Sequence, residues 1–386
     1  MDLETFRWLT GDEGGALLAG AADGRTDLRA LPGADADRVA AALTQVDLRR
    51  HARAKLGDDA AVMWFTRDGL EQATRTRVAT HRAARMAATG ARTLVDLGCG
   101  VGGDLVAAAR AGLTCVGVDL DPVRVAVAEA NLAALGLPGA VAVADATGLD
   151  LSPFDVAFAD PARRSGRGRS FRVEDWTPSW DFVEGLLGRD ACVKAAPGLP
   201  HGLVPDGVEA EWVSEDGEVK EVALWGGHLA TVRWRATVVA GAGLATLTDE
   251  DPASDEVRGV GGYLYEPDGA VIRAGLVTAV AATVAGGRVD PHLAYVTSDE
   301  DVRTPFARGY RVLEELPYRE KQLRAALRER DVGALTVKKR GVDVVPEDLR
   351  RRLKLTGSVA ATIVMTRVAG RGTALLVEPC GPRRQD

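Results

Sequence analysis

Three aspartates sit at the ends of three successive short apolar runs. Asp96 lies within Val95-Asp-Leu-Gly-Cys-Gly-Val-Gly-Gly-Asp104, Asp119 closes Thr114-Cys-Val-Gly-Val-Asp, and Asp145 follows Ala140-Val-Ala-Val-Ala. Between the first two acids, Gly98, Gly100 and Gly103 satisfy a GxGxxG spacing, with Cys99 and Gly102 in the same loop. Such glycines let the backbone turn tightly and approach a ligand at a helix N-terminus. The spacing alone belongs to many nucleotide-binding loops. Asp96 narrows the choice, because a carboxylate two residues before the first glycine repels a pyrophosphate and attracts an ammonium. Asp119, with Leu120 beside it, stands where an acid accepts both hydroxyls of a ribose. Asp145, with Ala146, is placed to take an adenine amino group. Ammonium, ribose and adenine in that order describe S-adenosylmethionine (SAM). Each acid taken alone also suits a helix N-cap or a turn. Cys99 has no His or other base near it in sequence, so it reads as a small loop residue and not a nucleophile.

A fourth acid, Asp160, follows the run Val156-Ala-Phe-Ala and precedes Pro161. Reactions on open α/β sheets occur beyond the carboxyl ends of the strands, so this loop faces the transferred group. Methyl transfer needs the acceptor oriented, desolvated and relieved of a proton. Asp160 can hold an amino group or another N–H nucleophile, and the bland alternative is a turn-forming Asp-Pro. Enzymes that methylate amino groups of bases commonly carry Asn/Asp-Pro-Pro-aromatic here, whereas this chain has Ala162 and Arg163. Trp176 or Trp180 are the aromatics left to stack on a base. Arg163, Arg164, Arg167, Arg169 and Arg172 then fall within ten residues, spaced by Gly166 and Gly168. Arginines on a glycine-rich loop suit phosphate contacts.

These residues need a scaffold. Strands alternating with helices over 91–200 predict a parallel sheet covered on both faces. The helices expected there are Asp104–Ala111 and Pro122–Leu135, and a fifth strand begins at Cys192. Glu209–Val213 and Glu218–Trp225 around Glu215-Asp-Gly read as a hairpin. Residues 1–90 read as helical over Asp37–Val46, Ala52–Lys55 and Thr66–Ala88, with breaks at Gly11–Gly15 and Leu31–Gly33. Residues 240–262 read as a loop and Ala270–Val284 as one helix. The tail reads as strand 310–315, helix 318–330, strand 334–339, helix 346–353 and strands 358–367 and 373–378. The organisation expected is a helical region 1–90, a SAM-binding domain 91–240, a connecting region 241–308 and a small α/β domain 309–386.

The 386 residues carry a net charge of −7, unevenly spread. Residues 302–386 hold 19 Lys/Arg against 10 Asp/Glu, and residues 1–301 hold 29 against 45. A basic tail on an acidic body fits a polyanionic partner, with a solvated surface as the alternative. Lys338, Lys339 and Arg340 form a basic strand end suited to phosphate. The four cysteines form no CxxC pair, so neither disulfides nor a metal site is expected. The N-terminus shows no secretion signal, and the longest apolar stretch, Ala274–Gly286, is too short for a bilayer. A cytoplasmic protein with no membrane contact is expected.

The chain resembles a bacterial family of class I SAM-dependent methyltransferases with a C-terminal THUMP-like domain. The resemblance rests on Phe65–Thr74, Val95–Gly103, Asp160–Arg164, Tyr265-Glu-Pro-Asp268 with Val271–Gly275, and Val337-Lys-Lys-Arg-Gly341 with Pro346–Leu353. It implies a Rossmann-like, seven-stranded methyltransferase domain and SAM as cofactor. THUMP domains accompany tRNA-modifying enzymes, so the resemblance also implies RNA binding. Taken with the residues above, the favoured reading is an RNA methyltransferase acting on tRNA or rRNA, with Asp160 and Pro161 at the reacting centre and a nitrogen as the acceptor. Glu266, Pro267 and Arg273 are placed either in a substrate cleft or at a strand end before a helix. The alternatives are a small-molecule or protein methyltransferase, and an RNA-binding protein whose fold holds SAM without catalysis.

Overall fold

A computed structural model of the chain describes residues 1–163, 176–241 and 243–381. Residues 1–209 with 222–231 form one compact unit, and residues 210–221 with 232–386 form a second.

The first unit opens with α1 (Leu3–Leu9), α2 (Asp12–Ala22), α3 (Ala36–Leu56), α4 (Arg67–Gln72) and α5 (Thr76–Ala88). Side-chain N-caps start three of them: Asp2 accepts from Thr5 N at 2.8 Å, Asp35 from Arg38 N at 2.8 Å and Thr66 from Gly69 N at 3.0 Å. The break expected at Gly11–Gly15 is instead the start of α2. A Cβ on Gly14 would lie 2.3 Å from the Trp8 carbonyl oxygen, so this glycine allows α1 and α2 to cross closely. The single helix expected over Thr66–Ala88 is split, with Ala73 and Arg75 extended at ψ 137° and 138°.

Next come β1 (Thr93–Leu97), α6 (Gly103–Arg110), β2 (Thr114–Asp119), α7 (Pro122–Ala134), β3 (Ala140–Val143), β4 (Val156–Ala159), β5 (Ala162–Arg163), β6 (Trp176–Thr177), α8 (Trp180–Leu187) and β7 (Ala191–Ala195). β1, β2, β3, β4 and β7 pair in parallel. β1 and β4 are nearly continuous apolar runs because both faces are covered. Leu105, Val106, Ala128 and Leu132 of the two flanking helices close a core on Leu94 and Phe158. β1 lies between β2 and β4, so the strand order reverses there, and in open α/β sheets it is at the carboxyl ends of such strands that ligands bind.

β8 (Glu209–Glu215) and β9 (Glu218–Gly226) form the expected hairpin. Its turn residues Asp216 and Gly217 are both left-handed, at φ 52° and 83°, as a two-residue hairpin turn of the primed type requires. The hydrogen-bonded order is β11-β10-β8-β9-β7-β4-β1-β2-β3, which makes nine strands where seven were expected. The two additional strands are β10 (Trp234–Ala240), parallel to β8, and β11 (Gly243–Thr248), antiparallel to β10. β11 falls in the stretch read as a loop, because its Gly, Asp and Ser neighbours masked a short strand.

In the second unit the chain continues with β12 (Tyr263–Pro267), α9 (Gly269–Ala274), α10 (Val277–Thr283), β13 (Gly287–Arg288), β14 (Val296–Ser298), β15 (Ala307–Leu316), α11 (Glu320–Glu329), β16 (Val332–Lys339), α12 (Pro346–Leu353), β17 (Val359–Val368) and β18 (Arg371–Pro379). α9 and α10 replace the one helix expected, because Gly275 is left-handed at φ 78° and caps the first. The strands form a seven-stranded sheet, β13-β14-β12-β15-β18-β17-β16. Alternation along β17 serves two cores. Ile363 and Met365 meet Leu323, Leu327, Leu349 and Leu353 of α11 and α12, while Val364 faces Leu264, Tyr310 and Leu375.

Candidate functional site

The glycine loop takes its shape from β2. Gly98 N and Cys99 N both donate to the Val118 carbonyl, at 2.8 and 2.9 Å. Gly98, Gly100 and Gly102 are left-handed, at φ 97°, 55° and 82°. They play two different parts. Side chains at Gly98, Gly100 or Gly103 would project into open space, whereas a Cβ on Gly102 would lie 3.2 Å from that of Ala128 on α7. The first three line a cradle, and Gly102 is a packing residue. Cys99 is buried, and its thiol is pushed far up, first by burial and then by the Asp96 and Asp119 charges, so it is not a nucleophile.

Asp119 is 8% exposed. Its carboxylate accepts from Gly100 N at 3.1 Å and from Asp121 N at 2.9 Å, with Arg124 3.9 Å away. Four lone-pair sites leave room for further donors. Leu120 beside it is 66% exposed, and Val143 at the end of β3 is 56% exposed, so the rim holds two uncovered apolar side chains. Asp145 caps the short turn of helix Ala146–Gly148, accepting from the Thr147 amide and hydroxyl at 2.9 and 2.7 Å. Its carboxyl lies below the ordinary range chiefly because of the Thr147 hydroxyl.

Asp96 is only 1% exposed, and its Oδ1 has no hydrogen-bond partner. Burial pushes its carboxyl well above the usual range, and the charges of Asp104 and Asp160 add to the effect. An orphaned, buried carboxylate oxygen beside an open cradle calls for a cationic donor. The residues present therefore fit the ammonium end of SAM, which supplies an activated methyl group on a sulfonium.

The helical region supports this cradle through contacts that the sequence did not reveal. Gln45 clamps the Phe65 backbone through both amide atoms, at 2.6 and 3.1 Å. Buried Asn131 does the same for Trp64 and also donates to the Val101 carbonyl of the glycine loop at 2.8 Å. Gly69 of α4 lies directly on Val101; a Cβ there would meet its Cγ1 at 2.4 Å. Thr74 donates to Asp104 at 2.8 Å, and Arg82 of α5 ion-pairs with the same carboxylate while its guanidinium stacks on Phe158 at 4.7 Å. Buried polar residues such as Gln45, Arg82 and Asn131, set on otherwise apolar helix faces, were the available signal.

At the next strand tips, Ala159 of β4 pairs with Val193 of β7, which brings Asp160 and Lys194 side by side one residue further on. They form an ion pair. Lys194 was missed, although a lysine in the apolar strand Ala191-Cys-Val-Lys-Ala was visible. Lys55 lies nearby. Burial, followed by the Lys194 and Arg75 charges, lowers its ammonium to about 8, and it donates to the Leu70 and Glu71 carbonyls at 2.9 and 2.7 Å. After Pro161, β5 pairs with β6, Arg163 opposite Trp176. Trp176 is buried and packs edge-on against half-buried Trp180 at 5.1 Å. Arg164, Arg167 and Arg169, as well as the Arg163 side chain, lie outside the described residues.

In the second unit, the Lys338-Lys339-Arg340 run does not present three cations together. Lys338 bonds Glu266 at 2.6 Å and Arg340 stacks on Tyr295 at 5.5 Å, while Lys339 is exposed. Arg273 is also exposed. Among the described residues, no group of His, Cys, Asp or Glu could hold a metal ion, and no helix is long and apolar enough to cross a membrane.

Comparison with known proteins agrees with this geometry. Residues 94–162 match a family described as a methyltransferase domain, 307–379 one described as THUMP domain-like, and 2–52 a domain of unknown function. An uncharacterized SAM-dependent methyltransferase of Mycobacterium tuberculosis, found in strains CDC 1551 / Oshkosh and H37Rv, is 38% identical over 352 residues, covering 87% of this chain and 95% of the relative. A crystal structure from Porphyromonas gingivalis W83, assigned to the methyltransferases, superposes with a TM-score of 0.73 at 21% identity, over 95% of this chain and 98% of that one, and so shares the fold. The chain belongs to the SAM-dependent methyltransferases and carries a THUMP-like domain. SAM is its cofactor.

Proposed function

We propose that the chain methylates a nitrogen of an RNA nucleotide, in tRNA or rRNA. The observation that carries the reading is the Asp160–Lys194 pair at two strand tips next to the anionic cradle. In this reading Asp96 receives the SAM ammonium and Asp119 the ribose hydroxyls. Asp145 and Ala146 receive the adenine edge, with Leu120 against the ring. Gly98, Gly100 and Gly103 allow close approach, and Cys99 and Gly102 shape the loop. Asp160, fixed by Lys194 and by the rigid Pro161, accepts an N–H of the acceptor and orients its lone pair toward the methyl group. Trp180 offers a face for a base. Arg163, Arg164, Arg167 and Arg169 hold RNA phosphates close to the reaction, and Lys338, Lys339 and Arg340 hold them elsewhere. The match to a THUMP domain-like family and the basic composition of residues 302–386 support RNA over a small molecule.

The test is nucleoside mass spectrometry of tRNA and rRNA from a deletion strain, followed by in vitro methylation of that RNA with labelled SAM. Loss of one methylated nucleoside, restored by the purified chain, is expected. An unchanged nucleoside profile together with methylation of a protein or metabolite extract would move the chain to the small-molecule or protein class.

A further inference from the structure

Glu266 and Lys338 are 72 residues apart in sequence and lie on strands separated by three others in the sheet order. In a flat sheet they would be about 19 Å apart at roughly 4.8 Å per strand. Their 2.6 Å hydrogen bond means that the sheet curls on itself. Inside the curl, above the core of Leu264, Val364, Leu375 and Val377, lie two fully buried tyrosines, Tyr295 and Tyr310. Three cations stand over their rings. Lys338 Nζ is 5.4 Å and the Arg308 guanidinium 5.5 Å from the Tyr310 centroid, and the Arg340 guanidinium is 5.5 Å from that of Tyr295. Glu266 faces them, bonded to Lys338 and accepting from the Tyr310 hydroxyl at 3.2 Å, and among the described residues no other acid is ion-paired with the three cations. Among the described residues, neither Arg308 nor Arg340 has a carboxylate within ion-pair distance.

We propose that Arg308, Lys338 and Arg340 form a phosphate-binding site inside the curled sheet of the second unit, with Glu266 holding Lys338 in register. Three cations against one carboxylate leave an excess of two charges, which matches a phosphate group. The Arg308 guanidinium lies against a ring, and Arg340, which donates one hydrogen bond to the Tyr295 hydroxyl, has further N–H groups for its oxygens. The partial burial of Lys338 and Glu266, 27% and 24% exposed, limits screening by salt. Lys339, on the opposite face of β16, is outside the site. The inference deepens the RNA reading and rests on it for the source of the phosphate, an RNA strand and not a free nucleotide.

The test uses the full chain. Phosphorus NMR titration with inorganic phosphate and with AMP is set beside fluorescence titration with an oligoribonucleotide, for wild type, Arg340→Ala, Arg308→Ala/Arg340→Ala and Glu266→Gln, with melting curves for each. Wild type is expected to bind phosphate, with RNA displacing it more effectively than AMP. Each arginine lost should weaken both ligands about tenfold, and Glu266→Gln, which frees Lys338, should tighten both. Binding of phosphate and AMP with no binding of RNA keeps the site and overturns the RNA source. Phosphate binding that survives the double arginine change, or wild type that binds neither phosphate nor RNA, overturns the site. If Glu266→Gln melts early, Arg340→Lys, which keeps the charge, should retain most of the affinity lost in Arg340→Ala.

Discussion

The two units each gather charge, but of opposite sign, and each leaves part of it unmatched. In the first unit Asp104 is matched by Arg82 and Asp160 by Lys194, while Asp96 is buried without a donor on Oδ1. In the second unit Lys338 is matched by Glu266, while Arg308 and Arg340 keep their charge. Burying an unmatched charge costs free energy, and ligand binding offsets that cost at Asp96, whereas Arg340 is half-buried and Arg308 exposed, so the cost there is smaller. The two proposed sites therefore call for ligands of opposite sign, a cation at the strand tips of the first unit and an anion in the second.

The largest effect is expected at Asp160. Its replacement by alanine is expected to lower kcat by about 10²–10⁴-fold, the usual span for a positioned acid–base group, with SAM affinity unchanged. Lys194→Met, which leaves the carboxylate in place but unanchored, should lower kcat less and shift the pH profile of the reaction. Steady-state methyl transfer with calorimetry of SAM checks both. Unchanged turnover in Asp160→Ala would reduce Asp160-Pro161 to a turn.

Asp96→Asn sharpens the argument about residual charge. SAM binding should weaken by about 1.5–3 kcal/mol, the worth of a hydrogen bond to a charged group, and the protein without SAM should become more stable at neutral pH. The carboxyl of Asp96 titrates above the ordinary range in the folded chain. As pH rises from about 4, the unfolded chain ionises first, so this group's contribution to stability falls until pH passes its folded value. Asparagine removes that slope. Over the same interval SAM affinity should rise with pH in wild type and stay level in the variant. Melting curves and calorimetry across pH measure both, and a variant destabilised at neutral pH would mean that Asp96 already has a cationic partner.

Gly69→Ala tests whether the helical region belongs to the cofactor site. Its Cβ would meet Val101 and Thr66 at 2.4 and 2.6 Å. Overpacking of this kind costs about 1–3 kcal/mol, and displacing Val101 should weaken SAM binding as well. A stable variant with normal affinity would detach α4 from the cradle.

How much of this was legible depends on the range of the interaction. β1, the glycine loop, Asp119 and Asp160 could be read because strand periodicity, glycine spacing and strand-tip acids are local. The split at Ala73–Arg75 could not, because Thr74 leaves the helix for Asp104, thirty residues away in sequence. Lys194 becomes meaningful only once β7 lies beside β4. β11 was lost to its loop-like neighbours, and Gly14 looked like a helix break because glycine signals close packing as readily as a turn. The Lys338-Lys339-Arg340 run was legible as composition but not as geometry. Strand alternation separates its members, and Glu266, which engages one of them, comes from a motif 72 residues earlier.

That alternation yields the smallest effect. Lys339 is exposed and points away from the face that carries Lys338 and Arg340. If RNA contacts the outer face of β16, Lys339 acts as a solvated point charge, and Lys339→Ala should lower the slope of log affinity against log salt by about one unit. Binding of inorganic phosphate should not change, since the phosphate site lies on the other face. Arg340→Ala should lose affinity for both ligands. Salt titrations of the two single variants against one oligoribonucleotide separate an outer electrostatic surface from a site inside the curl. Equal slopes for Lys339→Ala and wild type would take the outer face of β16 out of RNA contact, and loss of phosphate binding in Lys339→Ala would contradict the assignment of faces itself.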